Sequence, residues 1–194
     1  YGEGIINGLE EIFTEHGIYP AEIDYLVHAT TVATNAVLED KGAKTGLITT
    51  DGFRDVLELR RIRIPELFNL DYIKPNPLIQ RRYRLEVKER LGPDGTVRIP
   101  LDESSVMAAA ERLRIAEVES VAICLLHSYA NPDHERRVAD LIGKILPSSV
   151  FISCSSEILP EIREYERTST TVVNAFLGPV VSRYLDSLTH RLKS

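Results

Sequence analysis

The stretch Lys44-Thr45-Gly46-Leu47-Ile48-Thr49-Thr50-Asp51-Gly52-Phe53-Arg54-Asp55-Val56-Leu57-Glu58-Leu59 decides the fold class. Lys44 to Thr50 reads as a strand, Asp51-Gly52 is a turn signal, and Phe53 to Leu59 reads as a short helix. Further on, Ser120 to Leu126 is a nearly continuous apolar run, the pattern of a strand covered on both faces, and Val150 to Ser153 is one more short strand. Between these strands, Asp102 caps a helix through about Arg114, and Asn131-Pro132 starts another to about Leu146, proline being tolerated where an N–H has no partner anyway. Strand and helix alternate, so the class is α/β.

Toward the amino terminus, Ile5, Ile6, Leu9, Ile12 and Phe13 form a helical stripe over Gly4 to His16, ended by Gly17. An α/β domain more often opens on a strand, so the expectation is that a segment precedes this helix. Ile23 to Val27 then reads as a short strand leading into His28-Ala29-Thr30-Thr31-Val32-Ala33-Thr34-Asn35. One imidazole, three threonine hydroxyls and an amide would thus sit at a strand's carboxyl end, where open α/β sheets present ligand sites. Helix capping uses one hydroxyl; the others could meet an anion. His28 reads as a general base, a hydrogen-bond donor or a structural residue.

Residues 60–80, with Pro65, Pro75 and Pro77, break the alternation and read as a long irregular excursion. Arg60, Arg61 and Arg63 form a basic cluster there, either a solvated face or an anion site. Arg81 to Arg90 and Thr96 to Ile99, joined by Gly92-Pro93-Asp94-Gly95, predict a β-hairpin, so 60–100 is an inserted loop and hairpin. From Glu161 the pattern is helical, and Pro179 predicts a kink or two abutting helices near Gly178.

With 23 Lys and Arg against 29 Asp and Glu the formal charge is −6, which sets nucleic-acid binding aside. No apolar run approaches the roughly 20 residues that cross a bilayer, and the expected setting is cytoplasmic, without a membrane partner. Cys124 and Cys154 lack CxxC pairing and read as buried reduced thiols. His127 follows the apolar run, on the same presumed sheet edge as His28. His134 reads as a surface residue and Glu135 as an acid favoured by its helix dipole. No histidine spacing suits a metal, and GxSxG, Walker A and GxGxxG motifs are absent. Glu164-Tyr165-Glu166-Arg167-Thr168-Ser169-Thr170-Thr171 reads either as an acidic helix start or as the lining of a cleft.

Taken together, His28 to Ala36, Gly46 to Glu58, Cys124-Leu125-Leu126-His127-Ser128-Tyr129-Ala130-Asn131-Pro132 with His134-Glu135-Arg136-Arg137, Ser155-Ser156-Glu157, and Arg163 to Val172 resemble, in order, the amino-terminal domain of the hydantoinase A/5-oxoprolinase family. The resemblance implies an actin-like ATPase (ribonuclease H-like) half-domain over 1–194. It also implies ATP and Mg2+ as cofactors and hydrolysis of a cyclic amide of the hydantoin or 5-oxoproline type, the amide oxygen being activated by phosphorylation. His28 and Arg167 are the implied catalytic residues. Thr30, Thr31, Thr34 and Asn35 would line the substrate or phosphate side of the cleft, with Glu166 and Thr168 on a second wall. The implied partners are the cyclic amide and the remaining domains or a companion hydantoinase B-type subunit.

Two other readings stay open: an ATP-using subunit of an acetone- or acetophenone-type carboxylase, and a non-catalytic interaction module docking through 60–80. Ala29 stands where the family usually has glycine. The family's first phosphate loop, of Asp-Gly-Gly-Thr-Thr-Asp type, lies upstream of the first helix and is not in this sequence, so the expectation is a piece of a larger enzyme.

Overall fold

A computed structural model of the chain describes residues 2–61, 68–69 and 71–193; the predicted basic-cluster member Arg63 and the loop proline Pro65 lie outside them. In chain order the elements are α1 (Gly2–His16), α2 (Val32–Leu38), β1 (Thr45–Thr50), α3 (Val56–Leu59), β2 (Arg84–Val87), β3 (Arg90–Leu91), β4 (Val97–Ile99), α4 (Glu103–Ile115), β5 (Ser120–Cys124), α5 (Asp133–Ile142), β6 (Phe151–Cys154), α6 (Ser155–Ile158) and α7 (Glu164–Lys193). They fall into two compact units, one up to Lys41 and again from Val180, the other Gly42–Pro179.

The second unit holds a four-stranded sheet in the order β2-β1-β5-β6, every neighbouring pair parallel. Leu47 and Ile48 of β1 sit opposite Ala122 and Ile123 of β5, and successive side chains go to opposite faces. Ile48, Val121 and Ile123 pack with Val106, Ala110 and Leu113 of α4 and Val138 and Ile142 of α5. On the other face Leu47, Ala122 and Cys124 meet Leu57 of α3 and Val172 and Ala175 of α7. Both faces are covered, which explains the unbroken apolar run of β5. A fully buried Ile or Leu here contributes about 1.5–3 kcal/mol.

The expected helices α4 and α5 are present. Asp102 caps α4 by accepting a hydrogen bond from Ser104 N at 3.0 Å, and Asn131 Oδ1 accepts from Asp133 N at 3.0 Å as α5 begins. Helix α5 ends at Ile142 rather than near Leu146. The predicted hairpin is shorter than expected. Only Arg90–Leu91 pairs antiparallel with Val97–Ile99, whereas Arg84–Val87 joins the main sheet beside β1, burying Leu85 and Val87 against α4 and α5.

The first unit contains α1, a 3-10 turn at Pro20–Glu22 and α2. The expected strand Ile23 to Val27 does not form. No strand pairs with it among the described residues, and its side chains face outward, Tyr25 90% and Val27 93% exposed. An extended run without a ladder partner leaves its backbone to water. Helix α7 runs through Pro179 as one helix instead of breaking near Gly178; one proline removes a single hydrogen bond from a 30-residue ladder, and the two units divide at that residue.

Candidate functional site

The carboxyl ends of β1 and β5 place a polar cluster in the second unit. Two buried charged side chains grip the backbone as it leaves β5. Glu135, 0% exposed, accepts from Leu125 N at 2.9 Å through Oε1. The same oxygen accepts from the Ser155 hydroxyl at 2.6 Å, and Oε2 accepts from Ser156 N at 2.8 Å. Arg167 donates from Nη2 to Leu125 O at 2.8 Å and from Nη1 to Glu161 O at 2.9 Å, with its guanidinium 5.4 Å from the Tyr129 ring centroid. Arg167 Nε is buried without a partner.

One residue further, Leu126 N donates to Thr50 Oγ1 at 2.8 Å, and the Thr50 hydroxyl donates to Glu89 Oε1. The other oxygen of Glu89 lies 2.8 Å from His134 Nδ1. Backbone, hydroxyl, carboxylate and imidazole thus form one chain. His134, with a side chain 12% exposed, is not the surface residue expected, and Glu135 is a buried acceptor rather than only a dipole partner.

Held on this base, His127 adopts φ +59°, a value uncommon outside glycine, although histidine, like asparagine and aspartate, reaches it more often than other residues do. Its Nδ1 is 3.2 Å from the Tyr129 hydroxyl. Burial holds the imidazole below its ordinary pKa, against the attraction of Glu164 and with Arg167, Arg98 and Arg90 adding to the lowering. Such strain clusters at functional loops.

A narrow cleft of about 10 Å3 opens beside this loop, lined by Thr49, Cys124, Glu164, Arg167 and Thr168 among others. It has room for about one water. Thr168 Oγ1 is 3.0 Å from Cys124 Sγ, and burial pushes that thiol's pKa up; Cys124 and Cys154 are both free and buried, as expected. Glu166 is paired with Arg61. Its desolvation, which raises its pKa, is outweighed by its backbone hydrogen bond and by Arg61, so the carboxyl sits below its ordinary range.

The other predicted residues lie in the first unit. His28 Nε2 is 2.6 Å from the Tyr184 hydroxyl. Thr31 precedes α2 without capping through its side chain; Thr30 Oγ1 accepts from Val32 N at 3.2 Å, and Asn35 Nδ2 donates to Thr31 Oγ1 at 3.3 Å. Thr34 is exposed on the same helix. The predicted residues therefore form two local groups, His28 with the threonines and Asn35, and Glu166-Arg167-Thr168, one in each unit.

Sequence reasoning passed over Thr50, Glu89 and Ser155 as site residues. Their one available signal is Glu135 directly after His134 at a predicted helix start, three residues beyond Pro132. Among the described residues no group of three or more His, Cys, Asp or Glu converges to hold a metal ion, and no helix is long and apolar enough to cross a membrane.

Comparison with known proteins places this arrangement. The family described as the hydantoinase/oxoprolinase N-terminal region matches residues 1–146. The α subunit of caprolactamase from Pseudomonas jessenii is 41% identical over 190 residues, covering 95% of this chain and 27% of that protein. The crystal structure of the ATP-dependent caprolactamase from the same organism superposes with a TM-score of 0.85 at 40% identity, over 96% of this chain and 28% of that one. The nucleotide-free structure of acetone carboxylase gives the same TM-score at 28% identity, over 98% of this chain and 29% of that one. The 5-oxoprolinase of Saccharomyces cerevisiae is 34% identical over 219 aligned residues, covering 96% of this chain and 17% of that protein. The chain spans less than a third of the length of these relatives.

Proposed function

Because the chain belongs to the hydantoinase/oxoprolinase amino-terminal family, we propose that it forms the amino-terminal part of an ATP-dependent hydrolase of cyclic amides. The observation that carries this reading is the 40% identity and 0.85 TM-score shared with an ATP-dependent caprolactamase across 96% of the chain. The parallel sheet covered by helices on both faces is consistent with half of an actin-like ATPase architecture. The remaining domains of the enzyme and a companion hydantoinase B-type subunit are its proposed partners.

ATP, bound with Mg2+, would supply the phosphoryl group that the amide oxygen accepts as ADP leaves, which makes that oxygen a leaving group and the amide carbon a better electrophile. In the second unit Arg167, a buried cation with an unpartnered Nε beside a cleft, suits an anionic group; in the first unit, by itself, Thr30, Thr31, Thr34 and Asn35 offer neutral polar groups. Mg2+ is usually held by phosphates, water and one or two carboxylates, so the described residues, without a carboxylate cluster, assign no ligand to it.

Within this reading Arg167 fixes Leu125 while adding positive charge to the cleft wall, Thr168 lines the same cleft, and Glu166, next to them on α7, is paired with Arg61 outside its lining. His28, hydrogen-bonded with Tyr184, is the residue to which this reading assigns proton exchange with the substrate or its leaving group. The charge-stabilising groups are set before reaction, so little reorganisation is needed as charge develops.

The test is substrate-dependent ATP hydrolysis by the full-length gene product with its companion subunit. A second reading, the ATP-using subunit of a ketone carboxylase, is favoured by the equal TM-score to acetone carboxylase. It requires bicarbonate and a ketone where the first requires a cyclic amide, and the same assay separates them.

A further inference from the structure

The strand order of the parallel sheet marks one edge of the second unit. The chain passes from β1 to its neighbour β2 on one side and later to β5 on the other, so the order reverses between β1 and β5. In open α/β sheets the crevice outside the carboxyl ends of the strands at such a reversal is where ligands bind. Those ends are Thr50 and Cys124, and His127 stands three residues beyond the second.

The backbone on both sides of His127 is fixed by buried side chains. Ahead of it, Glu135 and Arg167 hold the two polar groups of Leu125, and Thr50 Oγ1 accepts from Leu126 N at 2.8 Å. Behind it, the buried Ser128 hydroxyl lies 3.0 Å from that of Ser155, which donates to Glu135. Side chains from β1, α5, α6 and α7 thus converge on the segment Leu125 to Ser128. A support of this kind keeps the side chain it carries in one geometry.

His127 itself adds little to that support. It is half-buried, and its imidazole uses only Nδ1, 3.2 Å from the Tyr129 hydroxyl, with the two rings edge to face at 5.8 Å. Its Nε2 bonds to none of the described residues. In the tautomer with Nδ1 protonated, the ring donates to the Tyr129 oxygen and Nε2 keeps its lone pair. The charged groups facing the ring are Glu164 and Arg167 of α7, Arg90 of β3 and Arg98 of β4. Burial, with the three arginines adding to it, outweighs Glu164 and favours the neutral ring, the form that accepts a proton. Glu164 and Arg167 also line the narrow cleft beside the loop, which has room for about one water.

We propose that His127 is a catalytic base whose Nε2 takes a proton from the water that attacks the activated amide carbon. The identity of the reaction rests on the amide-hydrolase reading above, while the presence of a reactive, neutral imidazole at this sheet edge does not. As the water oxygen bonds to carbon, the π pair of the C=N bond in the phosphorylated amide moves to nitrogen and the water proton passes to Nε2. The imidazolium so formed is offset by Glu164.

The test uses the full-length gene product with its companion subunit and has two readouts. The first is turnover of His127→Asn, whose side chain suits the same backbone. With an unchanged melting temperature, kcat for amide-dependent ATP hydrolysis should fall at least about a hundredfold, the usual worth of a positioned base. KM for ATP should hold, and the acid limb of the kcat profile should disappear from the residual rate. The second readout needs no turnover: carbethoxylation by diethyl pyrocarbonate, mapped by mass spectrometry, which reports a neutral, accessible imidazole. Between about pH 7.5 and 6 an ordinary histidine, of pKa about 6.5, slows about fourfold; His127 should react and slow less. A folded His127→Asn enzyme that keeps its kcat or its acid limb, no carbethoxylation of His127, or an ordinary histidine's slowing overturns the proposal. Carbethoxylation as expected, without cyclic-amide turnover by the unaltered enzyme, would contradict the hydrolase reading and leave the reactive imidazole standing. Full turnover by the folded variant would remove the base and leave the hydrolase reading standing.

Discussion

Glu135 and Arg167 hold opposite sides of one residue: the N–H of Leu125 donates to Glu135 Oε1 at 2.9 Å, and its carbonyl accepts from Arg167 Nη2 at 2.8 Å. Two opposite charges are coupled through a peptide residue at the end of the central strand, and the strained His127 follows two positions later. Arg167→Met would leave the carbonyls of Leu125 and Glu161 without this donor. At about 1–3 kcal/mol for each buried group left unpaired, urea unfolding should show a loss of at least about 2 kcal/mol. Glu135→Gln should cost about 1–3 kcal/mol, because its new NH2 faces a donor. The double variant should lose less than the sum, since both act on Leu125.

His127 should tolerate the residues its backbone favours. His127→Asn or His127→Gly should leave stability unchanged or slightly raised, while His127→Val should cost about 1–3 kcal/mol, the usual price of a strained left-handed residue. Unfolding midpoints of the three variants check this. Equal losses in all three would show that the imidazole's contacts outweigh the backbone.

Two groups make stability depend on pH in opposite directions. Burial lowers the His127 pKa in the folded protein, so below the ordinary value of about 6.5 the unfolded chain takes up the proton more readily and stability falls as pH falls. At the other end, burial pushes the Cys154 thiol from 9.0 up to about 12. The unfolded thiol ionises first, so its contribution is full below pH 9 and is lost as pH rises from 9.0 toward about 12. His127→Asn should flatten the acid limb and Cys154→Ala the alkaline limb of a melting-temperature profile.

Gly42 is fixed by packing. A Cβ there would lie 2.1 Å from Cε1 of Phe176, so Gly42→Ala should destabilise by about 1–3 kcal/mol, the range for overpacking. A calorimetric melt tests this, and Gly4→Ala, whose Cβ would meet nothing within 4 Å, is the control.

His28 and Arg167 should both matter to the reaction in the full-length protein. His28→Ala should lower kcat with little change in stability, since the exposed His28 meets Tyr184 through one hydrogen bond and a tilted ring contact. Arg167→Lys keeps the charge but not the fork that reaches two carbonyls, and should lower both stability and turnover. Unchanged rates in both variants would remove them from the site.

Local patterns carried much of this structure. The β1 strand with its Asp51-Gly52 turn, the buried run of β5, and the Asp102 cap were legible because each is specified within a few residues. What was not legible depends on distant partners. Ile23 to Val27 has the composition of a strand, but a strand also needs a neighbour to complete its ladder. Arg84–Val87 alternates like a hairpin strand, yet Leu85 and Val87 find their burial beside β1, nearly 40 positions earlier. The polar cluster was hidden for the same reason. Thr50, Glu89, Leu125, Glu135, Ser155 and Arg167 are spread over more than 100 positions, and only the parallel sheet brings their contacts together. His28 and Arg167 were legible as residues of interest through the family resemblance, while the role of Glu135 in fixing Leu125 was visible only in the fold.

The most direct test of the central claim is phosphate release from ATP by the full-length gene product with its companion subunit, supplied in turn with caprolactam, hydantoin or 5-oxoproline and with acetone plus bicarbonate. The account predicts release that depends on one of the cyclic amides, matched mole for mole by ring-opened product and independent of bicarbonate. Release only with ketone and bicarbonate, or no release with any of these substrates, would contradict it.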